Sequence, residues 1–163
     1  MTALRIKVGI ILSLLILLNK TMAIETPKYN LIFKDNGFEV REYQSMIIAS
    51  TKVDSDYRNA TSTGFRRIAN YIFGGNSTGM SIEMTAPVIS DTPGSHDIYE
   101  ILFVMPSEHS MEDLPKPNTE NVSIKEINLG KTAVLRFGGW ATKDRVREYK
   151  AKLRDLLSTK GYE

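Results

Sequence analysis

The sequence predicts an α+β domain, a distorted antiparallel β-barrel or sheet carrying two helices, built as two pseudo-repeats of a strand pair followed by a helix. Three observations carry that prediction. Apolar residues recur at helical spacing twice, as Phe65, Ile68, Ala69 and Ile72 and as Val146, Tyr149, Leu153, Leu156 and Leu157. Each set follows a β-branched stretch, Phe38 to Val53 and then Val122 to Phe137. With 42% hydrophobic and 25% charged residues, a chain of 163 residues has the composition of one globular core.

The first residues differ in kind from the rest. Arg5 and Lys7 precede an uncharged, largely apolar run from Val8 to Leu18, and Thr21-Met22-Ala23 offers small residues where a signal peptidase cuts. Residues 1–23 are expected to be a signal peptide and 24–163 the domain, exported to a periplasm or secreted. The run is too short to span about 30 Å of hydrocarbon, so no stable membrane anchor is expected after cleavage.

Tyr29 to Phe33 reads as a strand, and Asp35-Asn36-Gly37 as a turn into a partner strand, Phe38 to Tyr43, because Asn-Gly tolerates positive φ. Met46 to Val53 alternates as a further strand, and Asp54 to Thr63 reads as a polar loop. Thr61 or Ser62 is the expected cap of a helix from Ser62 to Phe73, ended by Gly74-Gly75-Asn76. Ser81 to Ile89 is expected as a strand, followed by a nearly continuous apolar strand, Ile98 to Met105, in contact on both faces. Ser107 to Asn121, with Pro115 and Pro117, is a surface excursion. Val122 to Ile127 and Lys131 to Phe137 read as a hairpin around Asn128-Leu129-Gly130. Thr142 then caps a helix from Lys143 to Lys160 that Gly161 stops.

Charge and composition exclude several function classes. Removal of residues 1–23 takes Arg5, Lys7 and Lys20 and no acid, turning the formal +2 into −1. A near-neutral domain lacks the clustered positive surface that nucleic acid requires. There is no cysteine, hence no disulfide, no thiolate and no lipoprotein anchor. His96 and His109 fall in predicted loops without the short-range partners of a metal site, and are expected to be solvated. No Gly-x-Ser-x-Gly elbow is present, and Gly74-Gly75 follows a helix instead of preceding one, so neither nucleophilic catalysis nor a phosphate cradle is expected. The chain is not expected to be an enzyme.

Three ordered strings carry a family resemblance: Gly64 to Asn76 followed by Met84-Thr85-Ala86-Pro87-Val88; Phe103 to Ser107 with Leu114-Pro115-Lys116-Pro117; and Ala133 to Phe137 with Gly139-Trp140-Ala141-Thr142. From about Tyr29 to Glu163 the chain resembles the SOUL or haem-binding protein family. Family members run on for some tens of residues into a final hairpin that is missing here, so the sequence reads as a fragment. The resemblance implies non-catalytic, non-covalent binding of haem or a related tetrapyrrole in an apolar groove beside the first helix. Phe65, Ile68, Ala69 and Ile72 would form its wall, Met80 and Met84 would fill it adaptably, and Arg67 or Arg66 would reach propionates. Where some members carry a histidine iron ligand, this chain has Glu42. Tyr43 beside it is a type of residue that can ligate ferric haem, though strand alternation turns it to the other face. Two alternatives stand beside this reading. One is another amphipathic or cationic small molecule, with Glu42 or Glu83 facing it. The other is a protein-interaction module using Met80 and Met84.

Overall fold

A computed structural model describes residues 24–91 and 98–162. Five strands form one antiparallel sheet that does not close into a barrel: β1 (Tyr29–Asp35), β2 (Phe38–Asp54), β3 (Val88–Asp91), β4 (Ile98–Val104) and β5 (Ser123–Leu135). Two helices accompany it, α1 (Tyr57–Ile72) and α2 (Lys143–Thr159). Strand β2 is the axis. Along one edge it pairs with β5, from Phe38↔Leu135 to Ser50↔Ser123; along the other it pairs first with β1 and then with β4, and β4 pairs with β3.

The Asn36-Gly37 turn forms as expected, with φ of 43° and 83° at the two residues, and it sets the β1–β2 register. The break expected between Tyr43 and Met46 is absent. Ser45 remains paired with Asn128, so β2 runs unbroken for 17 residues.

The hairpin expected around Asn128-Leu129-Gly130 is also corrected. Gly130 does adopt a positive φ of 54°, and the Asn128 side chain accepts its N–H at 2.8 Å. The chain nonetheless continues straight, because β2 supplies hydrogen-bond partners on both sides of the kink. The second half therefore holds one long strand before its helix, not a strand pair.

Helix α1 begins earlier than Ser62. Asp56 caps it, its side chain accepting the N–H groups of Arg58 and Asn59, while Thr61 bonds back to the Tyr57 carbonyl from inside the helix. The extra turn brings Ala60 and Gly64 onto the buried face with Ile68, Tyr71 and Ile72. Gly64 is needed there. A Cβ would collide with the Ile101 side chain, lying 2.7 Å from its Cβ. Phe73 closes the helix and Gly74, at φ 102°, reverses the chain.

Of the strand expected over Ser81 to Ile89, only Val88 onward is paired as a strand. Residues 81–87 form single bridges, Phe73↔Ser81 and Glu25↔Thr85, and pass through a cis Ala86-Pro87 bond. Strand β4 meets apolar side chains on both faces, as its sequence predicts. Tyr99, Ile101 and Phe103 join Ala49, Val53 and the buried face of α1 in the main core, while Leu102 and Val104 meet Ile48 behind the sheet. The 107–121 excursion makes no strand, yet Leu114 is buried in the main core and the Pro115 carbonyl accepts the buried Tyr71 hydroxyl at 3.0 Å. Burial pushes that hydroxyl's pKa up.

Helix α2 is capped by Thr142 as expected, but none of its residues is fully buried. Among the described residues no helix is long and apolar enough to cross a membrane. The expected signal peptide and His96 lie outside the described residues.

Candidate functional site

Helix α1 packs on β2 and β4, leaving the edge strand β3 beyond its flank. Successive helical residues turn by about 100°, so Phe65 and Arg67 point to opposite flanks. Arg67 faces β2, where its guanidinium donates to the Lys52 carbonyl at 3.0 Å and reaches Thr51 Oγ1 at 3.4 Å. The other flank carries Phe65, Ala69 and, at the helix end, Phe73, spaced four residues apart. Phe65 is 40% exposed and Phe73 63% exposed.

The floor of this flank comes from β4. The Phe65 ring lies 5.5 Å from the ring of Phe103, which is buried. Phe103 pairs with Val88 of β3, and opposed residues share a face of the sheet, so half-exposed Val88 stands on the same side as α1. Just before it, Thr85 is buried and donates to the Val104 carbonyl at 2.6 Å, anchoring a segment on which Met84 stands exposed. The result is an apolar strip between a helix and an edge strand; Arg66 is exposed on the outer face of α1, donating to Thr63 Oγ1 at 3.2 Å.

The expected site residues divide into groups. Phe65 and Ala69 lie on the strip, and Met84 is exposed near it. Ile68 and Ile72 point into the sheet and are fully buried, so they support the strip from below. Met80 is half-buried against the main core. Glu42 and Tyr43 lie at the far part of β2, nine and eight residues before Thr51, roughly 30 Å along a strand. There the Tyr43 ring lies tilted against Tyr29, 5.4 Å between centroids, and its hydroxyl accepts from Arg41, while Glu42 is exposed. Phe73 and Val88 were not singled out by sequence. The spacing of Phe65, Ala69 and Phe73 carried a signal for the first, whereas Val88 needed the strand register.

Two clefts lie away from this strip, and neither is lined by α1. One, of about 450 Å³, opens at the end of β4 between Met46, Met105, His109, Met111, Glu25 and Glu126, among others. His109, expected to be solvated, has a side chain only 13% exposed there. The other, of about 320 Å³, is polar and lies around Ser50, Glu100, Asn121 and Lys125. Among the described residues no group of three or more His, Asp or Glu is placed to hold a metal ion.

The strip could take a flat apolar body laid against aromatic and thioether side chains, with a charged edge toward solvent. Among the described residues no imidazole lies on it. Residues 24–163 match the family described as SOUL heme-binding protein. The chain is 33% identical over 150 residues to heme-binding protein 2 of Homo sapiens, covering 85% of this chain and 72% of that one. It is 31% identical over 131 residues to heme-binding protein 2 of Mus musculus, covering 77% and 63%. To heme-binding protein 1 of Xenopus laevis it is 29% identical over 127 residues, covering 74% and 66%. The aligned part thus spans somewhat under two thirds of the mouse protein's length.

Proposed function

The chain belongs to the SOUL heme-binding protein family, and from that premise we propose that it binds haem or a related tetrapyrrole non-covalently, without catalysis, along the α1 strip. The observation that supports this is the flank itself: Phe65 stands exposed over a buried Phe103, and Phe73 stands exposed two turns further along, where an amphipathic helix ordinarily keeps its aromatic residues covered. Phe65, Ala69, Phe73 and Val88 would contact the macrocycle, with Met84 adapting to its edge. Arg66, exposed on the outer face of the helix, would have to leave Thr63 Oγ1 to meet a propionate, whereas Arg67 is held against β2. Haem, when bound, supplies an iron whose spectrum reports its axial ligands. Apolar contact along the strip would carry the affinity, so iron-free protoporphyrin should bind about as well.

Hemin titrated into the purified chain is expected to give a saturable, one-to-one change in the Soret band. A Phe65→Ala/Phe73→Ala variant should lose most of it while keeping its fold by circular dichroism. Binding that is indifferent to the variant would remove the strip from the proposal, and the absence of saturable binding would overturn the proposal itself.

A further inference from the structure

We propose a second ligand site, separate from the tetrapyrrole strip: the cleft of about 450 Å³ at the end of β4 takes an amphipathic organic cation. Its volume is within the range of small-molecule sites, about 300–1,000 Å³. Its apolar lining comes from the middle of the sheet, Met46 and Ile47 of β2 beside Val104 and Met105. The Met105 N–H bonds to the Ile47 carbonyl at 2.8 Å, so this lining is fixed. Met111 adds a third thioether from the 107–112 loop, and unbranched, polarizable side chains adapt to an irregular apolar guest.

The charges around this lining are one-sided. Three carboxylates, Glu25, Glu112 and Glu126, face one ammonium, Lys28. Glu25 is already committed: both its oxygens accept the Ser107 N–H, at 3.1 and 3.3 Å, and this ties the N-terminal segment to the loop. Glu112 and Glu126 make no hydrogen bond or ion pair with any described residue. Both stand exposed at the rim of the cleft, where a cation seated on its methionines would meet them. A ligand with an apolar body and a positive charge satisfies both features. The dianionic edge of a tetrapyrrole satisfies only the first, which separates this cleft from the α1 strip.

Isothermal titration of the full chain with tetraphenylphosphonium chloride tests the assignment. The expected result is saturable one-to-one binding, weakened about tenfold or more in a Glu112→Gln/Glu126→Gln variant, a loss equivalent to about 1.4 kcal/mol. Affinity should be unchanged in Phe65→Ala/Phe73→Ala, and neutral triphenylphosphine oxide should bind far more weakly than the cation. Equal affinity of the glutamine variant, equal binding of the neutral compound, or no saturation at millimolar concentration would each overturn the site. Competition with hemin would move the cation to the strip and overturn it too. Because the glutamine variant leaves the strip intact, failure here and failure of tetrapyrrole binding are separately visible.

Discussion

Glu39, on β2, is buried beneath three cations. Arg41 donates to one of its oxygens through Nε and Nη2, at 2.8 and 2.6 Å, while Lys34 and Arg136 lie 3.5 and 3.8 Å from the other. The Arg41 guanidinium also covers the Tyr29 ring at 4.2 Å, joining β1 to β2. The hydrogen bond from Arg41 holds the Glu39 carboxyl below the usual carboxylate range; burial opposes this, and the surrounding cations add to it. An acid whose folded pKa lies below its unfolded one stabilises the fold above the unfolded value, and that contribution is lost as pH falls through the folded value. The urea midpoint of the native chain should therefore drop as the pH falls below the ordinary glutamate value of about 4.3. Glu39→Gln should lower the midpoint at neutral pH and flatten this acid limb; parallel pH profiles would show that the cluster contributes nothing. No local pattern in the sequence marks Glu39 as buried. Its partners Lys34 and Arg136 come from positions that only strand pairing brings near it.

At the scale of elements, the connection after α1 decides where the strip ends. Asn76 is buried, and its side-chain amide donates to the Tyr71 and Met80 carbonyls at 3.0 and 2.7 Å while accepting the Met80 N–H at 3.0 Å. It closes the turn that carries the chain from the helix toward Met84. Asn76→Ala would leave the Tyr71 and Met80 carbonyls and the Met80 and Thr78 N–H groups without this partner, at a cost of roughly 1–3 kcal/mol for each buried group that water cannot reach. Urea unfolding at constant slope should register a loss in that range; a change under about 0.5 kcal/mol, typical of a surface site, would mean that the turn holds itself without Asn76. The Gly74-Gly75-Asn76 string was legible as the end of a helix, because Gly tolerates the positive φ that a reversal needs. The start of the helix was misplaced because Thr61 and Ser62 are good caps in isolation, while Asp56, with two N–H groups to accept, lies one and a half turns earlier. The kink at Gly130 shows the converse. Turn chemistry was present, and pairing with β2 overrode it.

Across the whole molecule, burial is uneven. Helix α1 contributes four buried side chains to the main core, whereas α2 contributes none and rests on β5 through half-exposed side chains. Residues 1–23 add a proposal at this scale, that the chain is exported and cleaved before Ile24, resting on the basic start, the apolar run and Thr21-Met22-Ala23. Mass spectrometry of the exported protein should find Ile24 at its N-terminus; a retained leader or cytosolic accumulation would overturn it. The sequence by itself determined the α+β class, the amphipathic helices, the Asn36-Gly37 turn and the family, because these follow from periodicity, turn stereochemistry and contiguous strings. Only the tertiary structure decided which members of the apolar stripe are core and which are surface. Phe65 and Ile68 share one pattern, but the sheet covers an arc of the helix that takes in Ile68 and stops short of Phe65. It also decided the cleft at the end of β4, whose Glu25, Met46, Met105, Met111 and Glu126 come from separate segments of the chain. Pairing across a sheet joins residues at any sequence distance, and no local spacing records it.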